Sequence, residues 1–125
     1  GGNAGTAAWF FSWQILKCKK IGLIGMNHGW DEDDSLEKIL SGSPELIHEI
    51  KDSKKLEKML IKLYNPEFQT YCLLDPIFNF YRNALLEFIS RSPKDVLTIN
   101  ASEGGSIFGN RIKCMKFYDF LIEYS

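Results

Sequence analysis

The chain has 125 residues, 45% of them hydrophobic and 25% charged, with a formal net charge of −1 at pH 7. That length is one domain or part of one, and it buries roughly two-thirds of its unfolded surface. With no basic excess, neither nucleic acid nor an acidic membrane is an expected partner, and no apolar run approaches the roughly 20 residues of a spanning helix. Cys18, Cys72 and Cys114 are odd in number, widely spaced and form no CxxC pair. Zinc and a disulfide framework are therefore not expected. The plain reading is free thiols in a cytoplasmic protein with no visible signal peptide.

In chain order, Gly1-Gly2-Asn3-Ala4-Gly5 is a small-residue turn. Asn3 can cap a helix spanning Ala4 to Lys17, where Ala4, Ala7, Ala8, Phe11 and Ile15 keep a helical spacing. Trp9, Phe10 and Trp13 widen its apolar face, so burial on more than one side is expected. Lys17, Lys19 and Lys20 suit its C-terminal end. Ile21 to Ile24 reads as a short buried parallel strand ending at Gly25.

Asp34-Ser35-Leu36-Glu37 has the cap and reciprocal-acid spacing of a helix start. Ser43-Pro44 opens another turn or two through Ile50, with His48 on a surface face. Lys54 to Tyr64 reads as an amphipathic helix, with Leu56, Met59, Leu60 and Leu63 on one stripe. Asn65-Pro66 ends it. Thr70 to Leu74 is a strand or extended loop. Asp75-Pro76 starts a helix to about Ser90, with Ile77, Tyr81, Leu85 and Phe88 inward, and Ser92-Pro93 breaks it. Val96 to Ile99 is a second buried strand. Phe117, Phe120, Leu121 and Tyr124 mark a last short helix. The alternation predicts an α/β fold with a parallel sheet and flanking helices. Two strands are too few for a free-standing sheet, so either an N-terminal part supplies more or the chain pairs with another copy.

Three polar segments can carry chemistry. The N-terminal glycines, with Gly2, Asn3 and Gly5, can bring backbone N–H groups to a phosphate, or simply form a tight turn. Met26-Asn27-His28-Gly29-Trp30 follows a strand end, where open α/β sheets bind ligands. Asn27 can hydrogen-bond a ligand, His28 can act as general base, and Trp30 can stack on a ring. Next to it, Asp31-Glu32-Asp33-Asp34 is either a site for Mg²⁺ beside a nucleotide phosphate, with Asp31 its nearest ligand, or a solvated helix start. Asn100-Ala101-Ser102-Glu103-Gly104-Gly105 follows the second strand, with Glu103 a candidate acid/base group or the tip of a solvent-facing turn. Loops at the ends of two parallel strands converge on one sheet edge.

Gly2-Asn3-Ala4-Gly5-Thr6-Ala7-Ala8, Ile21-Gly22-Leu23-Ile24-Gly25-Met26-Asn27 and Ile99-Asn100-Ala101-Ser102-Glu103-Gly104-Gly105 together resemble the C-terminal half of the MptE-like Rossmann domain. That family holds archaeal 6-hydroxymethylpterin diphosphokinases and the sialyltransferase-like motility accessory factors. The resemblance runs nearly end to end, but only these three segments are specific. Ser102 stands where the family has Thr, and Asn27 where it usually has Asp. The segment from Asp31 to Asn65 matches nothing in the family pattern. The resemblance implies a partial Rossmann-like domain lacking its N-terminal half. It implies a nucleotide-dependent transferase moving a nucleotide-activated sugar to an acceptor hydroxyl, with His28 or Glu103 as base. Ligand contacts would come from Gly2, Asn3, Gly5, Asn27, Trp30, Asn100, Ser102, Gly104 and Gly105. The alternative within the family is ATP- and Mg²⁺-dependent diphosphoryl transfer. The alternative outside it is a non-catalytic fragment that self-associates through uncovered sheet edges, and a homo-oligomer is expected.

Overall fold

A computed structural model of the protein describes residues 3–42 and 53–125. Gly1, Gly2, His48 and the short helix expected from Ser43 to Ile50 lie outside the described residues. The fold is mixed α/β, built on two small sheets. Strands β1 (Lys20–Leu23), β5 (Leu97–Asn100) and β6 (Ile112–Cys114) form a parallel sheet in the order β1-β5-β6. Strands β2 (Trp30–Asp31), β3 (Ile61–Asn65) and β4 (Thr70–Leu74) form an antiparallel sheet in the order β2-β4-β3. The helices are α1 (Ala4–Gln14), α2 (Leu36–Ser41), α3 (Ser53–Met59), α4 (Pro76–Arg91) and α5 (Phe117–Tyr124). Among the described residues no helix is long and apolar enough to cross a membrane.

The parallel sheet carries the larger core. Ile21 and Leu23 of β1 face Trp9 of α1 and Leu85 and Ile89 of α4, with Val96 and Ile107 closing the cluster. Trp9 is 1% exposed, and its indole N–H donates to the Thr98 hydroxyl of β5 at 3.0 Å. That bond lets a large amphipathic ring sit fully buried. Trp9, Phe10 and Trp13 set the buried face of α1. Thr6, Trp9, Phe10 and Trp13 turn inward, whereas Phe11, Ile15 and Leu16 are 51–61% exposed. The expected burial of the face with Ala4, Ala7, Ala8, Phe11 and Ile15 is therefore corrected, because Trp9, Phe10 and Trp13 together remove more apolar surface from water. The helix also stops at Gln14, and its last turn holds no basic residue. Lys19 pairs with Asp95, and Lys20 begins β1. On the opposite sheet face, α5 lies over β1. A Cβ on Gly22 would stand 2.5 Å from the Phe120 ring, so only glycine admits that helix.

Sequence pattern fixed several starts. Asn3 caps α1 through Thr6 N–H at 2.8 Å. Asp75 caps α4 through the N–H groups of Ile77 and Phe78, with Pro76 in the first turn. Two further readings are corrected. Ser35, not Asp34, caps α2, and it accepts from Lys38 N–H at 3.2 Å. The expected helix Lys54–Tyr64 ends at Met59, and Ile61–Asn65 is strand β3. Its pairing with β4, from Ile61 opposite Leu74 to Asn65 opposite Thr70, outweighs the helical spacing of its leucines. Strand β6, three residues long, carries no periodic signal and was not anticipated.

Candidate functional site

All three parallel strands end on the same sheet edge, so the segments after β1 and β5 meet there. The buried Asn100 side chain shapes the second segment. Its Nδ2 donates to the Ile107 carbonyl at 2.6 Å, and its Oδ1 accepts from Ser102 N–H at 2.9 Å. Ser102 then bridges the segments: its hydroxyl accepts from Met26 N–H at 3.2 Å and donates to the Leu23 carbonyl at 3.3 Å. Gly105 has φ +82°, and a Cβ there would stand 2.5 Å from the Asn27 carbonyl oxygen. Glycine is thus required twice, by conformation and by contact. Ser106 completes the junction, donating from N–H to the Asn27 carbonyl at 2.8 Å and from its hydroxyl to the His28 carbonyl at 2.7 Å.

Beside this junction lies a cleft of about 490 Å³. Asn27, Trp30, Asp31, Ser102, Glu103, Gly104 and Gly105, all singled out from the sequence, line it. The antiparallel sheet forms its other wall with Gln69, Thr70, Tyr71 and Cys72, which sequence reasoning missed. The Asn65-Pro66 turn was the available signal. Asn65 is fully buried, accepts from Glu67 N–H at 3.0 Å, and donates to the Gly105 carbonyl at 3.1 Å. That turn therefore fastens the β3–β4 hairpin to the glycine loop. The Thr70 hydroxyl is buried on this wall without a hydrogen-bond partner among the described residues.

Four predicted residues stand apart from the cleft lining. Asn3 and Gly5 line two other grooves along α1, Asn100 is buried beneath the loop, and His28 is 8% exposed. Gly2 lies outside the described residues. His28 has φ +47°, and its ring packs against Phe78 and Tyr81 with centroids 6.3 Å away. Burial pushes its pKa below the ordinary histidine value of 6.5, so the ring is neutral at pH 7. Trp30 is held from below, its indole N–H donating to Asp75 at 2.8 Å while its ring meets Phe78 edge-on at 5.5 Å. The Glu103 carboxylate is exposed and accepts from Phe117 N–H, at the start of α5, at 3.4 Å. Burial raises the Cys72 thiol pKa, which keeps it protonated at neutral pH.

The cleft is acidic. Asp31, Glu32, Asp33, Asp34 and Glu103 line it, and among the described residues no lysine or arginine does. Two of these carboxylates are engaged at its rim, Asp34 with Lys38 at 2.7 Å and Glu32 with Lys62 at 3.4 Å. The hydrogen bond from Lys38 holds the Asp34 carboxyl below its usual range. Among the described residues Asp31 and Asp33 make no ion pair, and no group of three or more His, Cys, Asp or Glu side chains gathers to hold a metal. Such a lining suits a polyhydroxyl ligand, which takes hydrogen bonds from amides, hydroxyls and carboxylates. It repels a bare phosphate. A phosphate carried with Mg²⁺ fits, because that ion needs only one or two protein carboxylates beside the phosphate oxygens. Comparison with protein-family models, curated proteins and solved structures finds no match to this chain.

Proposed function

We propose that this chain is part of a nucleotide-dependent transferase with a Rossmann-like fold, in which the cleft binds a nucleotide-activated sugar and its acceptor. The observation that carries this reading is the convergence of the Asn27–Asp34 and Ser102–Gly105 segments on one cleft at the C-terminal strand edge. The resemblance of Ile21–Asn27 and Ile99–Gly105 to the MptE-like family suggests the reaction class, while Asp31–Asp34 has no counterpart in that pattern. Asn27, Ser102 and the backbone of Gly104 and Gly105 offer hydrogen bonds to sugar hydroxyls, and the Trp30 ring offers a stacking face. Glu103 is the group placed to take a proton from an acceptor hydroxyl, since it is exposed and lines the cleft. His28 acts from beneath, by holding the loop. Where the donor carries a diphosphate, Asp31 or Asp33 would hold Mg²⁺, which neutralises phosphate charge.

The acidic lining favours a second reading, ATP- and Mg²⁺-dependent diphosphoryl transfer to a pterin-like alcohol. Calorimetry with CMP, CTP and ATP, each with and without Mg²⁺, separates them. CMP binding supports glycosyl transfer, and ATP binding only with Mg²⁺ supports diphosphoryl transfer. No heat with any nucleotide under either condition removes both.

A further inference from the structure

We infer that Asn3 and His28 form a proton-sensitive latch, which holds the loop bordering the cleft in place only while the imidazole is neutral. The latch begins at the cap of α1. Asn3 Oδ1 accepts the Thr6 N–H at 2.8 Å, so the oxygen end of this amide is fixed. Its Nδ2 end therefore faces His28 Nε2, at 3.1 Å. An amide nitrogen only donates, so Nε2 must accept and the ring proton must sit on Nδ1. The cap thus dictates the tautomer of a histidine 25 positions away.

Protonation places a second N–H on Nε2, pointing at the Asn3 NH₂. Two donors then meet. Asn3 relieves the clash only by turning over, which withdraws its oxygen from the helix cap, or by moving away. The imidazole has no better partner at hand. From α1 it meets an amide and the positive end of a helix dipole, which disfavours added charge. From α4 it meets the Phe78 ring and the phenol of Tyr81. Arg82, also on α4, gives its Nε–H to the Ser106 carbonyl at 2.7 Å and offers the ring no acceptor. Among the described residues no carboxylate pairs with His28, and its Nδ1 is buried without a partner.

The loop is coupled to that ring through its own backbone. His28 and Asn27 carbonyls both receive Ser106, and Gly105 lies against the Asn27 backbone. A displaced imidazole therefore shifts both strand-end segments together. Asn27 and Gly105 line the cleft, so acidification loosens the site.

The test is an NMR titration of the isotope-labelled chain from about pH 8 to about pH 5, with His28→Gln to assign the ring signals. The expected wild type shows the Nδ1–H tautomer, a midpoint below 6.5, and backbone amides of Asn27, Gly105 and Ser106 that move with that midpoint. Asn3→Asp keeps a cap acceptor for Thr6 and adds an acceptor for Nε2–H, so the His28 proton affinity rises about tenfold or more. An Nε2–H tautomer at neutral pH, amides indifferent to the titration, or an unchanged midpoint in Asn3→Asp overturns the latch. Should Asn3→Asp not fold, the wild-type tautomer and amide shifts decide alone. The effect on ligands rests on the transferase reading. The titration uses no ligand, so either idea can fail without the other.

Discussion

The two sheets are built on different scales of burial. The parallel sheet is covered on both faces, by α1 and α4 on one side and α5 on the other, and its cluster centres on Trp9, Leu85, Ile89 and Ile107. Among the described residues the antiparallel sheet buries Cys72 and Leu74 of β4, and the smaller cluster beside it has one fully buried member, Ile39 of α2, ringed by half-buried Trp30, Leu36, Leu40, Leu60, Leu73 and Ile77. Tyr64 and Tyr71 pack against each other with tilted rings, 43% and 46% exposed. The cleft lies where the two meet, one wall firm and one thinly held. Binding sites drawn from the less stable part of a fold can close on a ligand at little cost, and the division here has that form.

Several measurements sharpen or break this contrast. Trp9→Ala should have the largest effect, about 3–5 kcal/mol in a urea unfolding curve, since it empties the main core and orphans Thr98. A loss under about 1 kcal/mol would remove the parallel sheet as the firmer half. Ile39→Ala should cost about 2–4 kcal/mol at its own site, felt as faster amide exchange across β3 and β4. Exchange in β1 and β5 should change far less, and equal acceleration in both sheets would mean one cooperative unit. Gly105→Ala should cost about 1–3 kcal/mol through its positive φ and the Asn27 contact, with ligand binding lost more steeply than stability. Asp75→Ala should cost about 1–2 kcal/mol, because the cap of α4 and the Trp30 anchor go together.

The smallest effect is pH dependence. His28 has a lowered folded pKa, so the unfolded chain takes up a proton first as pH falls. Stability should be full above pH 6.5 and decline below it until the folded-state value is passed. His28→Gln should flatten that decline. An unchanged profile would place the dependence elsewhere.

Legibility in the sequence followed the same division. Ile21–Ile24 and Val96–Ile99 were readable because strands buried on both faces are unbroken apolar runs, and each ends in polar turn residues. Asn3 and Asp75 were readable because caps are local. Strand β3 was not, since Leu60 and Leu63 around Lys62 fit a helical stripe as well as an edge strand, and only pairing with β4 decides. Most of the cleft's first wall was visible as two polar loops after strands. The second wall needed the hairpin. The inward turn of His28 depends on one positive φ and on Asn3, a tertiary contact no local pattern encodes.

The cleft between Asn27–Asp34, Ser102–Gly105 and β4 is the proposed binding place of a nucleotide-activated ligand. NMR shift mapping of the labelled protein with CMP and with ATP, each in Mg²⁺, tests it most directly. Saturable shifts are expected at Asn27, Asp31, Thr70 and Ser102 to Gly105, reduced in Gly105→Ala. Shifts confined to the α1 grooves, or none with either nucleotide, would contradict it.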